Sequence, residues 1–183
     1  MMPRTVCLHG PESTGKSTTT IRLAREFGTP VVAEFGRTYC ERYGVDLTMS
    51  DLVMIAHTQD LQVRAACDAG QFPVIVDTDA LMSAVWADML FGRRDPWFAR
   101  WDNTADLYLL FDIDLPWIED GTRIFGSAGE RQRFFDLSKA ELDRRGVRWE
   151  TISGSGEARY EHVLDAIARA GAAPDPERIA RRA

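Results

Sequence analysis

The sequence predicts an α/β fold: a three-layer sandwich in which a five-stranded parallel sheet carries helices on both faces. Three observations lead there. Five short runs rich in apolar and β-branched residues alternate with longer stretches of helical periodicity. Two of those runs, Val74-Ile75-Val76 and Leu107 to Phe111 (L-Y-L-L-F), are apolar throughout, as strands covered on both faces are. Between the first run and the first helical stretch lies a glycine-rich turn ending in a lysine, G-P-E-S-T-G-K-S at residues 10–17.

Thr5–His9 (T-V-C-L-H) reads as a strand that meets a loop at Gly10-Pro11. A helix follows from Gly15 to Phe27, with Ile21, Leu23, Ala24 and Phe27 on one stripe and Gly28 and Pro30 closing it. Val31–Ala33 is a brief strand, and Glu34–Tyr43 a helix closed by Gly44. Thr48 caps the next helix, with Asp51 as the acid of a capping box, and that helix runs to Ala69 before Gly70. After the strand at 74–76, Ala80–Leu90 is helical, Gly92–Pro96 a loop and Trp97–Asn103 a short helix. The strand Leu107–Phe111 leads into residues 112–129, irregular because Pro116, Gly121, Gly126 and Gly129 punctuate them. Glu130–Arg145 is helical, Val147–Ile152 is the fifth strand and Glu157–Ala170 the last helix. Residues 1–171 form one expected domain, and Ala172–Ala183 a polar, frayed tail.

A length of 183 residues suits a single domain with its own core. With 28 acidic against 22 basic side chains, the net charge of −6 argues against nucleic-acid binding by the whole surface. No run approaches the ~18 apolar residues of a membrane span, and Met1–Arg4 lead straight into a strand rather than a signal peptide. Cys7, Cys40 and Cys67 are scattered, with no CxxC spacing, which reads as reduced thiols in a cytoplasmic protein. The expected partners are therefore small molecules, not nucleic acid or membrane, and a homo-oligomer is left open.

Residues 10–17 match G-x-x-x-x-G-K-[ST] between a strand and a helix, the context a P-loop needs. Gly10 and Gly15 let the backbone curl so that the N–H groups of Glu12, Ser13, Thr14, Gly15, Lys16, Ser17 and Thr18 face a phosphate chain. Lys16, one of only two lysines, reaches the β- and γ-phosphates, and Ser17 offers a hydroxyl to Mg²⁺. Asp77, after the apolar run 74–76, is the expected second metal-site carboxylate; Thr78 or Asp79 reads as a helix cap, and Asp79 also as a candidate substrate residue. The loop thus points to ATP and Mg²⁺.

Phosphoryl transfer further needs an acceptor site and charge neutralisation. Glu34, with Arg37 three residues on, is the candidate base for a substrate hydroxyl, against the alternative of a helix-terminal acid. Arg123, Arg131 and Arg133 lie in or beside a glycine-bearing segment whose closure would bring Arg123 and Arg131 to ATP, one of the three being a solvated face residue. His9 and His162 read as structural, and His57 with Gln59 as either a packed helix pair or a base-reading pair.

With G-P-E-S-T-G-K-S at 10–17, E-F-G-R at 34–37, D-T-D at 77–79 and P-W-I-E-D-G-T-R-I-F-G-S at 116–127, the chain resembles the ribosylnicotinamide kinase domain of the bacterial NadR proteins over about residues 4–170. The resemblance implies a nucleoside- or nucleotide-kinase-like P-loop NTPase that phosphorylates nicotinamide riboside to the mononucleotide. It places Lys16, Ser17 and Asp77 at ATP and metal, Glu34 and Arg37 beside the acceptor, and Asp120 and Arg123 at the start of a lid spanning about 116–133. Nine residues precede Gly10, too few for the adenylyltransferase or DNA-binding domains of the larger NadR proteins. As aligned, those proteins carry a pocket Trp where this chain has Ala33 and a Tyr where it has Ala65. Trp86, Trp97 or Trp101 would have to replace them, although each reads more readily as core or lid packing. The competing readings are another nucleoside or deoxynucleoside kinase, and a nucleotide-driven regulatory ATPase without an acceptor.

Overall fold

The computed structural model describes residues 2–172. In chain order the elements are β1 (Thr5–His9), α1 (Lys16–Phe27), β2 (Val31–Val32), α2 (Phe35–Tyr43), α3 (Met49–Asp68), β3 (Val74–Asp77), α4 (Ala80–Phe91), α5 (Pro96–Arg100), β4 (Leu107–Phe111), α6 (Ala128–Arg145), β5 (Trp149–Ile152) and α7 (Gly156–Ala172). The strands form one parallel sheet in the order β2-β3-β1-β4-β5. From β1 the chain passes to the edge strand β2, returns to place β3 between β2 and β1, and then crosses to β4 and β5 on the other side. This reversal leaves a crevice beyond the carboxyl ends of the strands, where Leu8 pairs with Asp77 and His9 with Leu110.

Successive strand residues face opposite layers, and the core divides accordingly. Val6, Leu8, Ile75, Leu107, Leu109 and Phe111 pack on Leu23 of α1 and on Tyr160, Val163 and Ile167 of α7. Cys7, Val74, Val76, Tyr108 and Leu110 face Leu52, Ala56 and Val63 of α3, Leu81 and Ala84 of α4, and Leu142 of α6. Ala80, Ala84 and Ala87 are all essentially inaccessible, and such small side chains bring α4 close to its neighbours. α4 is accordingly apolar on most of its circumference and buried over most of its length.

The expected α/β sandwich with five parallel strands is present, and the helix boundaries carry the differences. Thr48 and Asp51 form the expected capping box. A second capping box, Ser127 with Glu130, starts α6 at Ala128 rather than at Glu130. Gly126 and Gly129 suggest a loop there, but Gly126 is small for packing: a Cβ would lie 3.0 Å from the Trp117 ring. The short helix begins at Pro96, because the Asp95 carboxylate accepts the Trp97 N–H at 2.8 Å, and ends at Arg100, because Trp101 turns extended. β5 starts at Trp149, since Gly146 in the left-handed region must first turn the chain out of α6. The expected tail falls on residues 173–183, outside the described residues; Ala172 ends α7. Among the described residues no helix is long and apolar enough to cross a membrane.

Candidate active site

The β1–α1 loop is shaped by two glycines. Gly10 sits at φ 122°, and a Cβ there would fall 2.8 Å from the Phe111 carbonyl oxygen of β4. Gly15, at φ 87°, turns the chain into α1 without a side-chain cap, and the first turn of α1 carries no acid. The positive end of that helix thus stays open to an anion. The Thr14 hydroxyl donates to the Pro11 carbonyl at 2.8 Å and braces the loop from within. Lys16 is buried, and its Nζ donates to the carbonyls of Gly10 (2.8 Å) and Pro11 (2.6 Å). Burial pulls the ammonium pKa down, while Glu34, Asp77 and Glu12 oppose that shift.

Two carboxylates face this loop. Asp77 ends β3 almost fully buried, with Oδ1 lacking a hydrogen-bond partner among the described residues and the Ser17 hydroxyl beside the carboxylate. Burial raises its pKa, and Lys16 works against the rise. An orphaned carboxylate oxygen next to a serine hydroxyl at a phosphate loop is a donor set suited to Mg²⁺, a hard cation that takes one or two protein oxygens and completes its shell with phosphates and water. Glu34 occupies the N-cap position of α2 in an extended conformation, yet its side chain makes no cap bond. Its carboxyl lines the cavity instead, and burial, then the charge of Asp77, push its pKa up to about 7.

Gln59 of α3 fixes the backbone on either side of Glu34. Its Oε1 accepts the Phe35 N–H at 2.8 Å, and its Nε2 donates to the carbonyls of Ala33 and Thr78, each at 3.1 Å. His57 lies on the exposed side of α3, edge-on to Trp97, so the two residues do not act as a pair. Gln59 shares the buried side of α3 with Leu52, Ile55, Ala56, Asp60 and Val63, and nothing local in the sequence marks it as this brace. His9 is fully buried against Tyr108 with both ring nitrogens unpartnered among the described residues, and burial lowers its pKa to about 3.

Residues 116–127 cover the loop. Glu12 accepts the N–H groups of Ile124 (3.2 Å) and Phe125 (3.3 Å), and the Ser13 hydroxyl accepts from Ile118 N–H (2.9 Å) and donates to Pro116 O (3.2 Å). The side chains of these two loop residues therefore tether the covering segment and leave their backbone N–H groups for the phosphate cradle. Asp120 joins the segment to α2: it pairs with Arg37 at 2.5 Å and with Arg123 at 3.2 Å, and accepts from Thr122. Hydrogen bonds from Arg37 and Thr122 hold its pKa down, to about 2, despite some burial. Arg123 lines the cavity beside Ser13. Arg131 instead donates to the Leu115 carbonyl at 2.9 Å, at the base of the segment, and Arg133 is exposed. Asp79 borders the cavity but is already engaged, capping α4 through the Leu81 N–H at 2.9 Å and accepting the Tyr108 hydroxyl.

The cavity measures about 290 Å³ and runs from the phosphate loop past Glu34 and Gln59. Val45, Leu47, Leu52 and Ile55 give it an aliphatic wall, and α4 lines it with Asp79, Met82, Ser83 and Trp86. Ala33 and Ala65 are exposed and form no part of it. Trp101 is buried in the core, and Trp97 packs edge-on to Phe98.

The AAA domain family matches residues 5–159. The trifunctional NAD biosynthesis/regulator protein NadR of Escherichia coli (strain K12) is 30% identical over 152 residues, 80% of this chain and 37% of that protein. A crystal structure of NadR protein in complex with NR superposes with a TM-score of 0.76 at 25% identity, over 94% of this chain and 52% of that one. Deoxyadenosine kinase from M. mycoides with bound dATP shares the fold, with a TM-score of 0.59 at 11% identity and 90% of this chain covered. The chain spans little more than a third of the curated relative's length. A phosphate loop on the first strand of a parallel five-stranded sheet, matched as one continuous stretch, places the chain in the AAA domain family, where it resembles the NadR proteins and has the fold of nucleoside kinases.

Proposed function

We propose that this protein transfers the γ-phosphoryl group of ATP to the primary hydroxyl of nicotinamide riboside, giving nicotinamide mononucleotide and ADP in the cytoplasm. The observation that carries the reading is Glu34: a carboxyl with no hydrogen bond among the described residues, its pKa pushed up to about 7 by burial and by Asp77, facing both the phosphate loop and the cavity. A group poised at neutral pH is suited to accept a proton in the transition state.

In this reading the backbone N–H groups of residues 10–18 and the α1 terminus hold the β- and γ-phosphates. Lys16 exchanges the Gly10 and Pro11 carbonyls for phosphate oxygens. Ser17 and Asp77 would hold Mg²⁺, which neutralises phosphate charge when bound. Glu34 takes the hydroxyl proton as the acceptor oxygen bonds to the γ-phosphorus, and the bond to the bridging oxygen breaks with its electron pair leaving on ADP. Arg123 faces the developing charge, Arg131 supports the segment from its base, and Arg37 with Asp120 keeps it closed against water. Asp79 acts on the acceptor side through the α4 terminus that it caps.

A second reading, a kinase for another nucleoside, is favoured by the aliphatic wall and by the alanines at positions 33 and 65. One panel separates the readings: protein, Mg-ATP and a set of nucleosides including nicotinamide riboside, with products identified by mass. The expected result is nicotinamide mononucleotide, lost in Lys16→Ala. No monophosphate from any nucleoside overturns the kinase reading, and ATP turnover indifferent to nucleosides identifies a regulatory ATPase.

A further inference from the structure

The acceptor cavity needs a surface that recognises a flat ring, and the two positions expected to supply one carry alanines that lie outside its walls. The aromatic side chains bordering the cavity are Trp86 and Phe134. Phe134 is 1% exposed and already meets Trp86 edge-on at 5.1 Å, so its own faces are spent in the core. Trp86 remains half-buried: Phe125 of the covering segment approaches it at 5.3 Å with the rings tilted by 38°.

Position on α4 makes this more than a packing detail. Asp79, Met82, Ser83 and Trp86 stand at i, i+3, i+4 and i+7, one face of a helix, and this face is the cavity wall. Asp79 lies next to the loop end and Trp86 about 10 Å further along the axis, a distance comparable to the length of a nucleoside. Between them the Ser83 hydroxyl makes no hydrogen bond among the described residues. A ligand whose hydroxymethyl group meets Glu34 would therefore carry its ring toward Trp86 and its ribose past Ser83.

We propose that Trp86 is the base-recognising residue of the acceptor site, stacking on the acceptor's ring while Phe125 of the covering segment closes over its edge. The inference rests on the nucleoside-kinase reading above and adds to it the surface that selects a planar acceptor. A cationic pyridinium would gain a cation–π attraction at an indole face in addition to area burial. It would also tie acceptor binding to the covering segment, because the Phe125 ring that meets Trp86 belongs to it.

The test compares wild type, Trp86→Leu and Trp86→Phe in steady-state kinetics with nicotinamide riboside and Mg-ATP. Removing an aromatic stack should raise the acceptor KM of Trp86→Leu by about tenfold or more, with the ATP KM within about twofold and Trp86→Phe close to wild type. An acceptor KM unchanged in Trp86→Leu overturns the inference and leaves the kinase reading standing. If Trp86→Leu fails to fold by circular dichroism, tryptophan fluorescence of wild type and Trp86→Phe decides, with a nonhydrolysable ATP analogue present. A saturable quench by nicotinamide riboside in wild type that disappears in Trp86→Phe supports the stack, and the same quench in both overturns it. Should wild type phosphorylate a different nucleoside, the substrate reading fails, and the same KM comparison on that nucleoside decides the role of Trp86. Absence of any phosphorylated product overturns both.

Discussion

Replacing Glu34 by glutamine removes one ionisable proton and keeps the shape of the side chain. In the folded protein this carboxyl is pushed up to about 7 from an ordinary 4.5, by burial and by Asp77. At ~1.4 kcal/mol per pH unit, ionising it in place costs about 3 kcal/mol at most; the water reaching its half-buried side chain reduces that to roughly 1–3 kcal/mol. The sign follows from proton counting. Below pH 4.5 both folded and unfolded chains hold the proton and the term vanishes. Between 4.5 and about 7 the folded chain keeps a proton that the unfolded chain has lost, so stability falls as pH rises, and above 7 the penalty is complete. Glu34→Gln, neutral at every pH, should therefore melt about 2–10 °C above wild type at pH 8 and level with it at pH 4. The same substitution removes the base, so kcat should drop by about 10²-fold or more. Wild-type kcat/KM should fall about tenfold per unit as pH drops below 7. Scanning calorimetry at the two pH values and a coupled ADP assay read both effects. A variant no more stable at pH 8 than at pH 4, relative to wild type, refutes the buried-carboxyl argument, and one with undiminished kcat refutes the catalytic assignment.

Two further outcomes follow from other contacts. Asp120→Asn weakens the pairs with Arg37 and Arg123, surface interactions worth about 1 kcal/mol or less each. The melting temperature should move by no more than a few degrees, while ATP hydrolysis without acceptor, followed as phosphate release, should rise several-fold because the covering segment opens to water. Gly10→Ala adds a Cβ 2.8 Å from the Phe111 carbonyl oxygen at a φ of 122°; either insult alone costs on the order of 1–3 kcal/mol. Its melting temperature should fall by about 5 °C or more, with ATP affinity, measured by calorimetry, reduced as well.

The phosphate loop could be located from sequence because all of its determinants are local: two glycines, a lysine and a serine within eight residues, between a strand and a helix. The strand–helix alternation and the Thr48–Asp51 cap were legible for the same reason. The start of α6 was not, since Gly126 reads as a breaker until Trp117 is known to lie on it. The function of Gln59 was out of reach too. Only folding brings Ala33, Phe35 and Thr78, which lie 26, 24 and 19 residues away along the chain, around one side-chain amide.

What the sequence determined by itself is whatever depends on neighbours along the chain: the layered α/β architecture, the anion-binding turn, and the candidate carboxylates at strand ends. Tertiary structure decided what depends on distance through space. It set the proton affinity of Glu34, which arises from burial beside Asp77 and Lys16. It tied Glu12 and Ser13 to a segment more than 100 residues away. It also gave one face of α4 to the cavity wall. Charge, desolvation and packing act across a few ångströms, and no linear pattern records which groups the fold will bring that near.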